Sequence, residues 1–66
     1  MFKVGDKVHC SRLDHDGIVI VVDHKDPMYP LEVEFEDGDT EVYTEDGRIF
    51  EGEDICLVKD NDNIGD

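Results

Sequence analysis

Basic residues, cysteine and tryptophan are scarce in this 66-residue chain, and long apolar runs are missing. Six lysines and arginines stand against 19 acidic residues, which gives a formal net charge of −13. Direct binding to nucleic acid or to an anionic membrane surface is therefore disfavoured, because both depend on Lys and Arg. No apolar run approaches the roughly 20 residues of a membrane span, and the N-terminal residues lack the apolar segment of a signal peptide. These absences predict a soluble, cytoplasmic protein.

The two cysteines, Cys10 and Cys56, are too few for a disulfide framework. Both fall in segments with strand character, which favours small buried apolar residues; a disulfide between the first and last strands is the alternative. Neither cysteine stands at metal-binding spacing from a histidine. Near the C-terminus, Asp60 and Asp62 imitate the start of a calcium loop, but Ile64 occupies a position that needs an oxygen ligand. We therefore predict no metal site and no cofactor.

The clearest fold signal lies in residues 29–52. Within it, residues 31–36 (Leu-Glu-Val-Glu-Phe-Glu) alternate apolar and acidic side chains, the pattern of a strand with one buried face. Asp37-Gly38 follows, and this dipeptide between alternating segments is a strong hairpin signal. Residues 40–44 then form the predicted returning strand, and Asp46-Gly47 turns the chain again.

Short strand patterns also occupy residues 7–11, 18–22, 48–50 and 55–58, and no segment has a helical period. Residues 18–22 are all β-branched, which indicates a strand buried on both faces or one that bends to serve two sides of a barrel. We predict an all-β fold, a small antiparallel barrel of five to six short strands in one domain (1–59), followed by a disordered acidic tail (60–66). The predicted core comprises Val8, Cys10, Ile18, Ile20, Val22, Leu31, Val33, Phe35, Val42, Phe50, Ile55 and Leu57.

Four segments carry a family resemblance: residues 2–8 (FKVGDKV), 17–19 (GIV), 29–35 (YPLEVEF) and 44–48 (TEDGR). With these segments the chain resembles small bacteriophage and prophage proteins built as SH3-like barrels, an architecture shared with Tudor and KOW-type modules. The resemblance implies an SH3-like barrel, a phage origin and the cytoplasm of a bacterial host. It implies no site residues, because most such proteins have no assigned function.

Acidic residues collect in one part of the chain. Residues 32–54 contain eleven of them and a single base, Arg48. A row of carboxylates at strand spacing can imitate a phosphate backbone, or otherwise fit a cationic protein surface. The predicted binding residues are Glu32, Glu34, Glu36, Asp37, Asp39, Glu41, Tyr43 and Glu45. Tyr43 should point away from Val42, towards the barrel end or the surface.

We therefore predict a non-enzymatic accessory protein that binds a basic surface of a host protein. In its narrower form, the prediction is that the protein mimics nucleic acid and so inhibits a host nucleic-acid-processing or defence enzyme. The alternative is a structural, assembly or Tudor-like interaction module whose acidity only keeps it soluble. No nucleophile with a base and an orienting group is present in the pattern, so we expect no enzyme. The expected state is a monomer or a weak homodimer.

Overall fold

The computed structural model describes residues 2–60 of the chain. The strands, in chain order, are β1 (Lys7–Cys10), β2 (His15–Val22), β3 (Leu31–Phe35), β4 (Thr40–Tyr43) and β5 (Leu57–Lys59). Neighbouring strands are antiparallel, and their order in the sheet is β4-β3-β2-β1-β5. The sheet curls into a half-barrel. The described residues contain strands and no helix, which confirms the predicted all-β class. The predicted tail residues 61–66 lie outside the described residues.

The long strand β2 contains an irregularity that decides which side chains face inward. Val19 stands opposite Val33, but the next partner of β3 is Val21 rather than Ile20, so one extra residue is inserted in β2. A bulge of this kind bends the strand and shifts its alternation by one position. Val19 and Val22 consequently face the core side. The predicted alternative of a strand buried on both faces is wrong, because Ile18, Ile20 and Val21 are exposed.

The buried core is smaller than predicted. Six predicted positions are buried together with three others, in a cluster formed by Val8, Cys10, Val19, Leu31, Val33, Phe35, Tyr43, Cys56 and Leu57. Five predicted core residues are instead exposed, namely Ile18, Ile20, Val42, Phe50 and Ile55. Ile18 and Ile20 are exposed because the predicted alternation of β2 began on the wrong residue: Val19, opposite Val33, faces inward, and Ile18 stands opposite Glu34. In β4, Tyr43 rather than Val42 stands opposite Leu31 and fills the core.

Gly17 of β2 has no room for a side chain against β3. A Cβ atom at this position would stand 2.7 Å from the Glu34 carbonyl oxygen and 2.8 Å from side-chain atoms of Phe35 and Val33. Glycine is therefore required here by space, since β2 packs directly on the backbone of β3.

The predicted β3–β4 hairpin is confirmed. Its loop is closed by the Phe35 N–H, which donates to the Asp39 carbonyl at 2.8 Å, and Gly38 adopts a φ of 93°. A positive φ of this size favours glycine, as the Asp-Gly pair predicted. The Asp37 carboxylate accepts the Asp39 N–H at 3.1 Å and further fixes the turn.

The predicted strand over residues 48–50 is absent from the structure. Arg48 makes only an isolated antiparallel bridge with Ile55, and β5 begins two residues later than predicted. The Gly47 carbonyl instead accepts the N–H groups of Cys56 and Leu57, each at 3.0 Å. These bonds tie the β4–β5 connection to the core. Among residues 2–60, no helix has the length and apolarity needed to cross a membrane.

Candidate functional site: the acidic outer face

Strand β3 presents its carboxylates on the side of the sheet that faces away from the core. Leu31, Val33 and Phe35 are buried, while Glu32 is half-buried and Glu34 is exposed. The predicted alternation of this strand is therefore confirmed. Since side chains on one face of a strand repeat every two residues, the two glutamates are about 6.6–6.8 Å apart along the strand. We call this side of the sheet the outer face.

Aliphatic side chains flank these glutamates, and two of them, Ile18 and Val42, were predicted in the core. Glu32 lies between Val21 of β2 and Val42 of β4, whereas Glu34 lies between Ile18 and Thr40. Directly opposite residues of this kind have Cβ atoms roughly 4.5–5.5 Å apart. Val21, Val42 and Ile18 are 40%, 47% and 46% exposed. The outer face is thus a mixed surface in which acidic and aliphatic side chains alternate.

Glu36 and Asp37 continue the acidic row beyond the end of β3, but both lie close to His15. The distance from His15 Nδ1 to Glu36 Oε2 is 3.4 Å, and that from His15 Nε2 to Asp37 Oδ2 is 3.7 Å. Glu36 also accepts the Asp16 N–H at 3.4 Å. Glu36 and Asp37 therefore have partners within the protein.

The remaining predicted binding residues do not share the outer face. Glu41 stands opposite Val33 and so points to the other side of the sheet, although it is exposed at the edge strand. Asp39 lies in the hairpin turn, and Glu45 follows β4 in a different loop. Tyr43 is fully buried, so its side chain cannot contact a partner; of its two predicted positions, the one on the surface is wrong.

Few basic groups neutralise the acidic side chains. Arg12 pairs with Glu53 at 2.7 Å, Arg48 with Asp46 at 2.8 Å, and Lys59 with Asp6 at 3.5 Å. Within residues 2–60, no lysine, arginine or histidine lies within ion-pair distance of Glu32 or Glu34. Among the described residues, the outer-face glutamates are therefore not paired with a basic group.

At the other end of the outer face, His9 lies between two carboxylates. Its Nδ1 atom is 2.7 Å from Asp16 Oδ1, and its Nε2 atom is 3.6 Å from Asp14 Oδ1. The hydrogen bond with Asp16 raises the pKa of His9 above its ordinary value, and the charge of Asp14 acts in the same direction. In the described part of the chain, no group of three or more His, Cys, Asp or Glu side chains is arranged to hold a metal ion.

A second feature, which the sequence analysis missed, is an open groove of about 970 Å³ at one end of the half-barrel. One wall is the β2–β3 connection, with Met28 and Tyr29, and the other is the β4–β5 connection, with Glu45, Phe50 and Glu51. Phe50 was predicted in the core but is 44% exposed. Tyr29 and Phe50, which flank the β3–β4 hairpin in the sequence, were the available signal, but strand periodicity alone could not place them on a shared groove.

Comparisons with known proteins add no relative to this description. No family model matches the chain, and the searches of curated proteins and of solved structures found no match either.

Proposed function

We propose that this chain is a non-enzymatic binding protein that engages a basic surface of a partner protein through the outer face. The observation that carries this proposal is the pair Glu32 and Glu34, which lie on one face without an ion-pair partner among residues 2–60. A net charge of −13 adds long-range attraction for a cationic surface. Charge of this kind mainly raises the association rate and is screened by salt.

The aliphatic neighbours of these glutamates favour a protein partner that is basic and partly apolar. Ile18, Val21 and Val42 offer surface that can be buried on contact, at roughly 25 cal/mol per Å². Apolar burial would hold the complex after charge has guided the encounter. A protein that only imitated the phosphates of a nucleic acid would not need exposed aliphatic residues. We therefore propose contact with a basic protein surface in general, and nucleic-acid mimicry as a narrower form of this proposal.

The order β4-β3-β2-β1-β5, in which the last strand pairs with the first, supports the further proposal that the half-barrel is an SH3-like barrel. The phage origin, the bacterial host and the inhibition of a host enzyme belong to the same proposal, and they rest on the sequence resemblance alone.

A second candidate function is an assembly module with salt-insensitive contacts. The exposed aliphatic side chains of the outer face, including Val58 of β5, favour it. On this view the surrounding acids only keep an apolar contact surface soluble.

A pull-down from bacterial lysate at two salt concentrations, with mass spectrometry of the retained proteins, separates the two. The first proposal predicts basic proteins that are retained at low salt and released at moderate salt. Retention that does not change with salt supports the assembly module. Absence of any specifically retained protein contradicts both.

A further inference from the structure

Both walls of the groove between residues 26–30 and 44–52 are fixed by internal hydrogen bonds. On one side, the Asp26 carboxylate accepts the N–H groups of Met28 and Tyr29, each at 2.9 Å. On the other side, the Thr44 hydroxyl donates to Asp46 at 2.6 Å and accepts the Arg48 N–H at 3.0 Å. The groove is therefore preformed, and a ligand would not have to order its walls.

Among residues 2–60, Arg48 is the only basic residue that lines the groove, and its charge is already paired. The Arg48 guanidinium donates to Asp46 at 2.8 Å and also to the Glu53 carbonyl. Glu45 and Glu51 line the same groove, and neither lies within ion-pair distance of a basic group among residues 2–60. The groove therefore presents unbalanced negative charge to its occupant.

The apolar part of the lining is exposed. Phe50 is 44% and Met28 65% exposed, and Tyr29 is half-buried beside them. Aromatic rings attract cations over their faces, and this attraction adds to that of nearby carboxylates. The volume of about 970 Å³ lies at the upper end of the range for ligand sites, which suits several residues of a peptide better than one small molecule.

We propose that this groove binds a peptide segment that carries a lysine or arginine between apolar residues. The cationic group would lie near Glu45 and Glu51, and the apolar neighbours would pack on Phe50 and Met28. This site goes beyond the outer-face proposal, because Glu32 and Glu34 do not line the groove. Either surface can fail its test without the other.

The test is a titration of the ¹⁵N-labelled chain with acetyl-Leu-Lys-Leu-amide, followed by amide chemical shifts at low salt. The matched probe is acetyl-Leu-norleucine-Leu-amide, which keeps the apolar length of lysine and lacks its charge. We expect saturable shifts at Met28, Tyr29, Phe50 and Glu51, and an affinity at least threefold weaker for the norleucine peptide. Equal affinities would overturn the cationic part of the proposal, and absence of saturable shifts in the groove would overturn the whole.

Three variants sharpen the result. Phe50→Ala and the double variant Glu45→Gln/Glu51→Gln should each weaken binding of the lysine peptide at least threefold. Glu32→Gln/Glu34→Gln removes the same number of charges outside the groove and should leave the affinity within twofold. If the outer-face variant weakens binding as much as the groove variant, general charge attraction rather than the groove holds the peptide. The spectrum of each free variant shows whether it is folded. If Phe50→Ala is unfolded, the double variant Glu45→Gln/Glu51→Gln alone decides the test.

Discussion

The thiols of Cys10 and Cys56 are in contact in the core, with 3.8 Å between their sulfur atoms. Both residues are buried free cysteines, and 46 positions of the chain separate them. Burial, together with the neighbouring Cys10, raises the pKa of the Cys56 thiol to about 11. Little thiolate is then present near neutral pH, and thiolate is the reactive form.

We predict that a thiol-specific oxidant such as diamide joins these residues slowly in the native protein and faster at a denaturant concentration that loosens the core. Closing so long a loop should stabilise the fold by up to about 4 kcal/mol on chain-entropy grounds. Intact mass under non-reducing conditions and a urea titration measure the two effects. Cys10→Ser is the control that cannot form the bond. Oxidation that yields only intermolecular disulfides would contradict the contact.

Tyr43, rather than the predicted Val42, is the residue of β4 that fills the core. Its ring packs edge-on against Phe35, with centroids 6.4 Å apart, and within residues 2–60 its buried hydroxyl has no hydrogen-bond partner. Burial, with a smaller contribution from Cys10, raises the pKa of the Tyr43 hydroxyl far above its ordinary value. An unsatisfied buried hydroxyl costs about 1–3 kcal/mol.

Tyr43→Phe keeps the ring and removes that group, so the free energy of unfolding should stay equal or rise by about 1 kcal/mol. Tyr29→Phe, at a half-buried tyrosine, should change it less. Urea denaturation measures both variants. A clear loss of stability in Tyr43→Phe would mean that the hydroxyl has a hydrogen-bond partner and would contradict its unsatisfied state.

His9 makes the stability of the fold depend on pH. Because its pKa is raised above 6.5 in the folded state, its ion pair with Asp16 contributes fully below that pH and is lost as pH rises through the raised pKa. Two carboxyl groups with lowered pKa values affect stability only in a more acidic pH range. The pKa of Asp46 is lowered mainly by Arg48, and the pKa of Asp26 is lowered by backbone N–H groups. Their contributions are lost only as pH falls below the ordinary 3.8.

We therefore expect a higher melting temperature near pH 6 than near pH 8.5, and a smaller difference in His9→Gln. His24→Gln is the matched control, because His24 is exposed and has no ion pair among the described residues. Melting temperatures at the two pH values check the prediction. An equal difference in His9→Gln and the wild type would contradict the role of His9.

The sequence predicted β3 and its hairpin well because two independent signals agree there, the alternation of residues 31–36 and the Asp37-Gly38 turn. It failed at β2, where residues 18–22 are apolar at every position and contain no alternation to mark the inner face. A bulge depends on the register with β3, which local sequence does not encode. In β4, the adjacent residues Val42 and Tyr43 can both be buried in a core. Only the pairing of Tyr43 with Leu31 determines that Tyr43 is the one that faces inward.

The candidate site shows the same division. The position of Glu32 and Glu34 follows from local alternation and was predicted. Their aliphatic neighbours, and the groove between two connections far apart in the chain, follow from strand pairing and loop packing. Those features could not be predicted from the local pattern.

The outer-face proposal is tested most directly by the affinity for the basic protein recovered at low salt. We compare the wild type with Glu32→Gln/Glu34→Gln/Glu36→Gln and with Asp23→Asn/Asp39→Asn/Asp54→Asn, which removes three charges from residues that do not share the outer face. Each exposed charge pair is worth about 0.2–1 kcal/mol, so the glutamate variant should bind roughly three- to a hundredfold more weakly. Its affinity should also depend less on salt. The aspartate variant should stay within about twofold of the wild type. Equal affinities for all three proteins would contradict the account.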